Sequence, residues 1–409
     1  MKKLFTFLAL VLSLNVLAQD FTIEQDVHPY YDIMEWKGMG ALLMSKDPNA
    51  NTKQITLSLI GDQETTIWDQ KFNPKGEDFY YIASENARYV YFLDNLDLQT
   101  GKLYFSQLNS AGNIKSTNVS IYTELKKIGA FASDDIEFID AVVTDKALVH
   151  LFRIKDKKSK EYIEVATFIT HHNFRCYAAE LGRISFDALK DEDNGHWRYI
   201  GFTGDQIYFA AREKSKKEAG YAVKQFSSKG EPSTALFIAA PEDLLIVNNI
   251  GFGTTGAYYA NNIEAEPEKG LITNIKGKFY LTGGRVAGNG AELVLFELVE
   301  GEWEEVNKMN LNYFIEKKGL DLGIYPMNEG IGYHLDHNGY DKVSMLYFEP
   351  KKTTAHNDFT EKTIYNPSSV FVKKEKNELV VLLENLDILR FNTDQLGKEG
   401  AVTFKREKK

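Results

Sequence analysis

Short apolar runs separated by turn residues recur along almost the whole 409-residue chain, and no long stretch carries a helical period. From Tyr30 onward these runs alternate with breaks rich in Gly, Asn, Asp and Lys, the pattern of many short antiparallel strands. The runs fall into groups with one internal order. A run enters, turns, and a strongly hydrophobic second run leaves; a polar loop, a third run, a tight hairpin and a more polar fourth run follow. The second run marks seven such groups: Gly40–Met44, Arg88–Leu93, Ala147–Phe152, Gln206–Ala211, Lys278–Thr282, Ile331–Leu335 and Glu378–Leu383. Tyr89-Val90-Tyr91-Phe92-Leu93 and Leu379-Val380-Val381-Leu382-Leu383 lack the alternation of a half-buried strand, so both faces of their sheets are expected to be covered.

The group from Lys276 to Met309 is the most informative. Two hydrophobic runs, Phe279–Thr282 and Glu292–Leu298, precede a tight turn and a third run carrying Trp303; Gly283-Gly284 closes the first run and Phe296 sits in the second. This stretch resembles one kelch repeat, the four-stranded blade of a β-propeller. The resemblance covers one blade, with Phe296 where the family usually has Tyr. It implies an all-β fold, a β-propeller built of four-stranded antiparallel blades, and the seven groups set the expected blade count at seven. The mature length over seven gives roughly 55 residues per unit, against the ~40–50 of known blades, so longer loops are expected. Six or eight blades remain open, because Gly256–Asn262 adds one run, and tandem β-sandwiches use similar strands.

In a propeller the Gly283-Gly284 pair would lie where strands converge on the axis, and Trp303 would wedge between blades. Phe21–Ile23 could complete the last blade. Two echoes support true repetition. Leu93-Asp94-Asn95-Leu96-Asp97-Leu98 returns as Leu383-Glu384-Asn385-Leu386-Asp387-Ile388. The hairpins Leu108–Gly112 and Phe226–Gly230 each place Gly where a short turn needs positive φ. Ser120–Lys127 and Phe186–Lys190 read as short helical turns between blades. A membrane barrel is disfavoured by the missing alternation and the basic Lys405–Lys409 end.

Residues 1–18 read as a secretory signal: Lys2 and Lys3, an apolar Leu4–Val16 region too short to span a bilayer, and a small-residue site at Val16-Leu17-Ala18. The expectation is an exported protein, periplasmic or extracellular, whose residues 19–409 form one domain, a monomer with no integral membrane segment. The single Cys176 cannot close an internal disulfide, and its place in the run Phe174–Ala179 reads as a small buried hydrophobe. Net charge is −10; without Lys2 and Lys3 the 48 basic residues become 46 against 58 acidic, or −12. Such a balance disfavours nucleic acid as a partner.

Chemistry is expected where the second-to-third loops gather at one end of the ring. Their residues supply the ligand-face candidates Asp47, Asp94, Asp97, Asp156, Arg285, Asp336, His337, Tyr340, Glu384 and Asp387. A ring of carboxylates there would suit a cation, a basic peptide or sugar hydroxyls; turn chemistry alone also selects Asp and Asn. Asp336, Asn338 and Asp341 around Gly339 could start a Ca²⁺ site, although the bidentate Glu of an EF-hand loop is missing; no other cofactor is expected. Asp191–Gly195 fails as such a loop because its Gly comes one position early. His334 with His337, and the adjacent His171-His172, read as structural or surface histidines, since strand neighbours point to opposite faces. No G-x-S-x-G, H-E-x-x-H, C-x-x-C or phosphate-loop pattern occurs, and Gly251-Phe252-Gly253 is not followed by a helix. The sequence therefore points to a non-catalytic propeller binding a protein or glycan through one loop face, with a carbohydrate-active enzyme using channel-mouth carboxylates as the alternative.

Overall fold

In a computed structural model, described residues run with gaps from 31 to 404; after 310 only strand backbones are described, and side chains to 308. They pair into sheets that follow one another along the chain. The first joins β1 (Tyr31–Trp36), β2 (Gly40–Lys46), β3 (Ile55–Ile60) and β4 (Thr66–Phe72). The second joins β5 (Tyr80–Ile82), β6 (Tyr89–Asp97), β7 (Lys102–Asn109) and β8 (Ile114–Ser120), and helix α1 (Tyr122–Ile128) leads out of it. The third holds β9 (Ile136–Val143), β10 (Ala147–Asp156), β11 (Glu161–Thr170) and β12 (Cys176–Ser185), followed by a 3-10 turn at Ala188–Lys190. The fourth holds β13 (Arg198–Thr203), β14 (Gln206–Ser215), β15 (Glu218–Ser227) and β16 (Pro232–Ala239).

Two-residue strands β17 (Leu244–Leu245) and β18 (Gly251–Phe252) come next, then β19 (Leu271–Ile275), β20 (Lys278–Ala287), β21 (Gly290–Val299) and β22 (Glu302–Asn310). β17 and β19 share the inner side of β20, so the first strand of this sheet is made of two pieces. The sixth sheet is β23 (Leu320–Pro326), β24 (Ile331–His337), β25 (Lys342–Phe348) and β26 (Ala355–Thr360), with β18 parallel to β23. The last is β27 (Pro367–Lys373), β28 (Glu378–Leu383), β29 (Ile388–Asn392) and β30 (Val402–Phe404). Apart from that parallel pair, neighbouring described strands run antiparallel.

Each hydrophobic second run is the second strand of a sheet. First strands of different sheets lie against one another: β5 on β9, β13 on β19, and β1 on β27. The first strands therefore face the axis and the fourth strands face outward. Burial agrees, because β8 and β16 are mostly exposed while β10 and β11 are mostly buried. Sheets radiating about an axis, with the last returned to the first, make a β-propeller.

The core sits between sheets. Val90 and Phe92 of β6 pack with Leu42, Leu57 and Leu59 of the first sheet, while Tyr91 and Leu93 pack with Leu148, Phe152 and Ile169 of the third. Odd and even residues of one strand thus feed different cores, which is why the run carries no polar face. A third core joins Val149, Phe168 and Trp197 to Phe209 and Phe226, and a fourth joins Tyr221 and Val223 to Leu281 and Phe296. Each large side chain so buried contributes roughly 1.5–3 kcal/mol.

Trp303 does wedge between sheets: it packs on the fourth core, and its Nε1 donates to Ala239 O at 2.7 Å. The hairpin echo is also structural. Gly112 (φ +82°) and Gly230 (φ +72°) close matching turns in which Asn109 Oδ1 and Ser227 Oγ accept backbone N–H groups. A Cβ on Gly112 would lie 3.2 Å from Trp68, and one on Gly230 3.2 Å from Phe168, each on the preceding sheet. The helical turns expected at Ser120–Lys127 and Phe186–Lys190 are present as α1 and the 3-10 turn.

Two expectations are corrected. Gly283-Gly284 does not close its run: β20 continues through both, with Gly284 between Leu245 of β17 and Leu293 of β21. The second strands also outrun their apolar runs, so Glu213, Lys214 and Arg285 are ladder residues rather than loop residues, and Asp94 sits at a bulge inside β6 between Leu93 and Asn95, where the register shifts. Backbone hydrogen bonds continue where the side chain no longer needs burial. The signal segment, Phe21–Ile23, Gly256–Asn262 and Asp191–Asp193 lie outside the described residues.

Candidate functional site

Up-and-down strand order puts the second-to-third ends of the described strands on the side of each sheet opposite its first-to-second turn. Asp97 and Asp156 are the last residues of β6 and β10. Asp97 Oδ1 accepts from Gln99 N (2.9 Å) and Thr100 N (3.2 Å), and Oδ2 accepts from Thr100 Oγ1 (2.5 Å). Asp156 Oδ1 accepts from Lys158 N (2.9 Å) and Ser159 N (3.3 Å). Hydrogen bonds from Thr100 and from Ser159 hold these carboxyls below the usual range. Both acids are engaged in organising their own turns, the local role typical of Asp in tight connections. Asp94 and Arg285 lie within β6 and β20, and Asp336 and His337 end β24. Asp47, Tyr340, Glu384 and Asp387, together with Asn338 and Asp341 of the expected Ca²⁺ loop, lie outside the described residues.

A cleft opens at the opposite end, where first strands turn into second and third into fourth. Its volume is about 390 Å³. The start of β6 supplies Arg88 and Tyr89, the β9–β10 turn Asp145 and Lys146, the β11–β12 turn Thr170 to Asn173 with Arg175, and β12 Tyr177. Ser228 and Lys229 come from the β15–β16 hairpin, so three consecutive sheets meet there. Among the described lining residues, four permanent cations face one carboxylate, Asp145, against the acidic balance of the whole chain.

The floor is fixed by a buried chain of hydrogen bonds. Thr144 O can only accept, so His171 Nε2 carries the proton it receives at 2.9 Å, and Nδ1 accepts from Tyr91 OH at 2.7 Å. Gln107 Nε2 in turn donates to Tyr91 OH and, at 3.4 Å, to His171 O. Burial pushes the Tyr91 phenol up and the His171 imidazole down to about 4; the Thr144 bond opposes the latter, while His172, Arg88 and Lys146 reinforce it. His171 is thus a neutral structural group, as its sequence context suggested. Its ring lies 4.9 Å from that of Tyr89, which helps fix the cleft wall. The β11–β12 turn is held by Thr170 Oγ1 on Asn173 Oδ1 (2.6 Å) and Arg175 N on the same oxygen (3.1 Å), with Phe174 at φ +53°.

Sequence reasoning had passed over this cleft. Arg88, Lys146, Arg175 and Lys229 lie far apart in the sequence on separate turns and strand ends, and only the stacking of sheets brings them together. Cys176, beside the cleft at the start of β12, is half-buried with its thiol pushed up to about 12 mainly by burial, which fits a packing role. A second buried polar cluster ties the third sheet to the strand that follows. Glu164 accepts from Arg153 Nε (3.0 Å), Trp197 N (2.6 Å) and His196 Nδ1.

No family description matches this chain, and no curated protein matches it. Among solved structures it is similar to the β-propeller domain of the Trilobed protease from Pyrococcus furiosus, at 8% identity over 91% of this chain and 95% of that one, with a TM-score of 0.45. It is also similar to the acylaminoacyl peptidase of Pyrococcus horikoshii, at 8% identity and a TM-score of 0.46 over 92% of this chain but 53% of that one. A third likeness is to the β-propeller domain of Cps50 (Swd1) from Myceliophteria thermophila, at 9% identity, a TM-score of 0.44, and 88% and 96% coverage. Identities this low speak to fold alone, and the propeller assignment stands on the sheets themselves.

Proposed function

We propose that this chain is an exported, monomeric, seven-bladed propeller that serves as a non-catalytic binding module for a protein or glycan, held in the cleft between the second, third and fourth blades. The cleft is the observation that carries this reading: it is concave, crosses three blades, and rests on a floor whose buried polar groups are hydrogen-bonded to one another. The seven-blade count draws support from the seven sheets among the described residues and the contact of β1 with β27. Export rests on the Lys2–Ala18 segment. The two channel-mouth acids with described side chains are occupied in their turns, so the binding reading is preferred to a carbohydrate-active one.

The test is to screen the immobilised mature protein against a glycan array and purified envelope proteins, beside an Arg175→Ala/Tyr177→Ala variant. Retention of a ligand that the variant loses supports the reading. Full retention by the variant moves the site elsewhere, and turnover of the bound glycan overturns the non-catalytic assignment.

A further inference from the structure

We infer that the cleft takes an acidic sugar, a pyranose carrying a carboxylate or sulfate, with the anionic group at the cationic rim and the ring against the tyrosine walls. This rests on the binding role proposed above and narrows its ligand.

Three features of the site select that chemistry. The first is charge. Arg88, Lys146, Arg175 and Lys229 line one cavity in which Asp145 is the carboxylate among the described lining residues, and their side chains are exposed. Two permanent cations of this rim, Arg88 and Lys146, both disfavour a charge on the His171 imidazole at the floor. In a protein of net charge −10 this is a local reversal of sign, which attracts an anion against the field of the rest of the surface.

The second feature is shape. About 390 Å³ lies near the lower end of small-ligand pockets, enough for one or two sugar rings. A protein surface would need a broad interface instead.

The third is the wall. Tyr89 and Tyr177 are both half-buried, presenting ring surface together with a polar tip. Tyr89 is fixed against His171, itself tied to Tyr91 and Thr144, so little ordering remains to be done on binding. Thr170 and Asn173 also line the cleft; their oxygens hold the β11–β12 turn, which leaves the Asn173 amide nitrogen as the donor suited to a sugar hydroxyl.

The experiment is calorimetric titration of the full mature chain in 50 mM salt. The probes are an unsaturated chondroitin sulfate disaccharide, a chondroitin sulfate dodecasaccharide, free glucuronate and neutral lactose. The expected result is binding of the acidic disaccharide, no detectable binding of lactose, and at least a tenfold loss of affinity in Lys146→Ala/Arg175→Ala or in 500 mM salt. Both cations are exposed, so the variant should keep the wild-type circular dichroism spectrum and melting point. Tighter binding of the dodecasaccharide per reducing end marks a polymer as source; equal binding of glucuronate marks the free sugar acid. The inference is overturned by silence of all three acidic probes to 10 mM, by equal affinity for lactose, or by unchanged affinity in the double variant. Lactose binding that Tyr177→Ala abolishes would sink the acidic ligand while leaving the cleft as the binding site. Silence toward these probes and every glycan and envelope protein of the wider screen would sink both.

Discussion

His150 lies wholly inside the core between the second and third sheets, and neither ring nitrogen has a hydrogen-bond partner. Its cross-strand neighbour Thr167 is equally buried, and the Thr167 hydroxyl is also unpartnered. Desolvation drops the His150 imidazole to about 3, and His171 sits at about 4. Both folded values lie below the ordinary 6.5, so the unfolded chain binds more protons between them. Stability is therefore whole above pH 6.5 and declines as pH falls toward 4. Urea denaturation from pH 8 to 4 should show that decline. His150→Leu, which removes an unsatisfied polar group from an apolar site, should flatten it and raise the midpoint at every pH, since an unpaired buried group costs about 1–3 kcal/mol. A midpoint that does not move with pH in wild type would refute the assignment. At Gly101, φ is +66° and a Cβ would meet the Tyr122 ring at 1.9 Å, so Gly101→Ala should lower the melting temperature sharply.

Between elements, polar ties cross from one sheet to the next. Glu164 on β11 holds Arg153 of its own sheet and the His196-Trp197 segment leading into β13. Removing it takes the buried acceptor from two further donors and leaves the Arg153 guanidinium its longer, 3.5 Å contact with exposed Glu137. Glu164→Ala should cost about 3 kcal/mol of unfolding free energy, the range found for a broken buried pair, with Glu164→Gln losing less because it keeps an acceptor. Equal losses would mean packing rather than charge is at stake. Trp303→Phe keeps the ring against the fourth core but loses the bond to Ala239, and about 1 kcal/mol is the expected penalty by denaturant titration. At this scale the sequence spoke clearly. Each second strand was visible as an apolar run, and the Gly112 and Gly230 turns were visible as matching motifs. The polar ends of β6, β10 and β14 were not, because ladder bonding is made by the backbone and leaves no mark in side-chain type.

For the molecule as a whole, the contact of β1 with β27 closes the row of sheets on itself. A chain ending at residue 366 should therefore leave the first sheet without a neighbour on one side. Greater binding of a hydrophobic dye and a broader, less cooperative melt are expected; an unchanged melt would mean the ring does not depend on closure. The sequence alone determined the strand runs, their order within each group and the burial of both sheet faces, because apolar periodicity is a local property that survives in one dimension. Only the tertiary structure decided where ligand chemistry could gather. Arg88, Lys146, Arg175 and Lys229 are brought to one cleft by the angle at which successive sheets stack, and no local pattern encodes that angle.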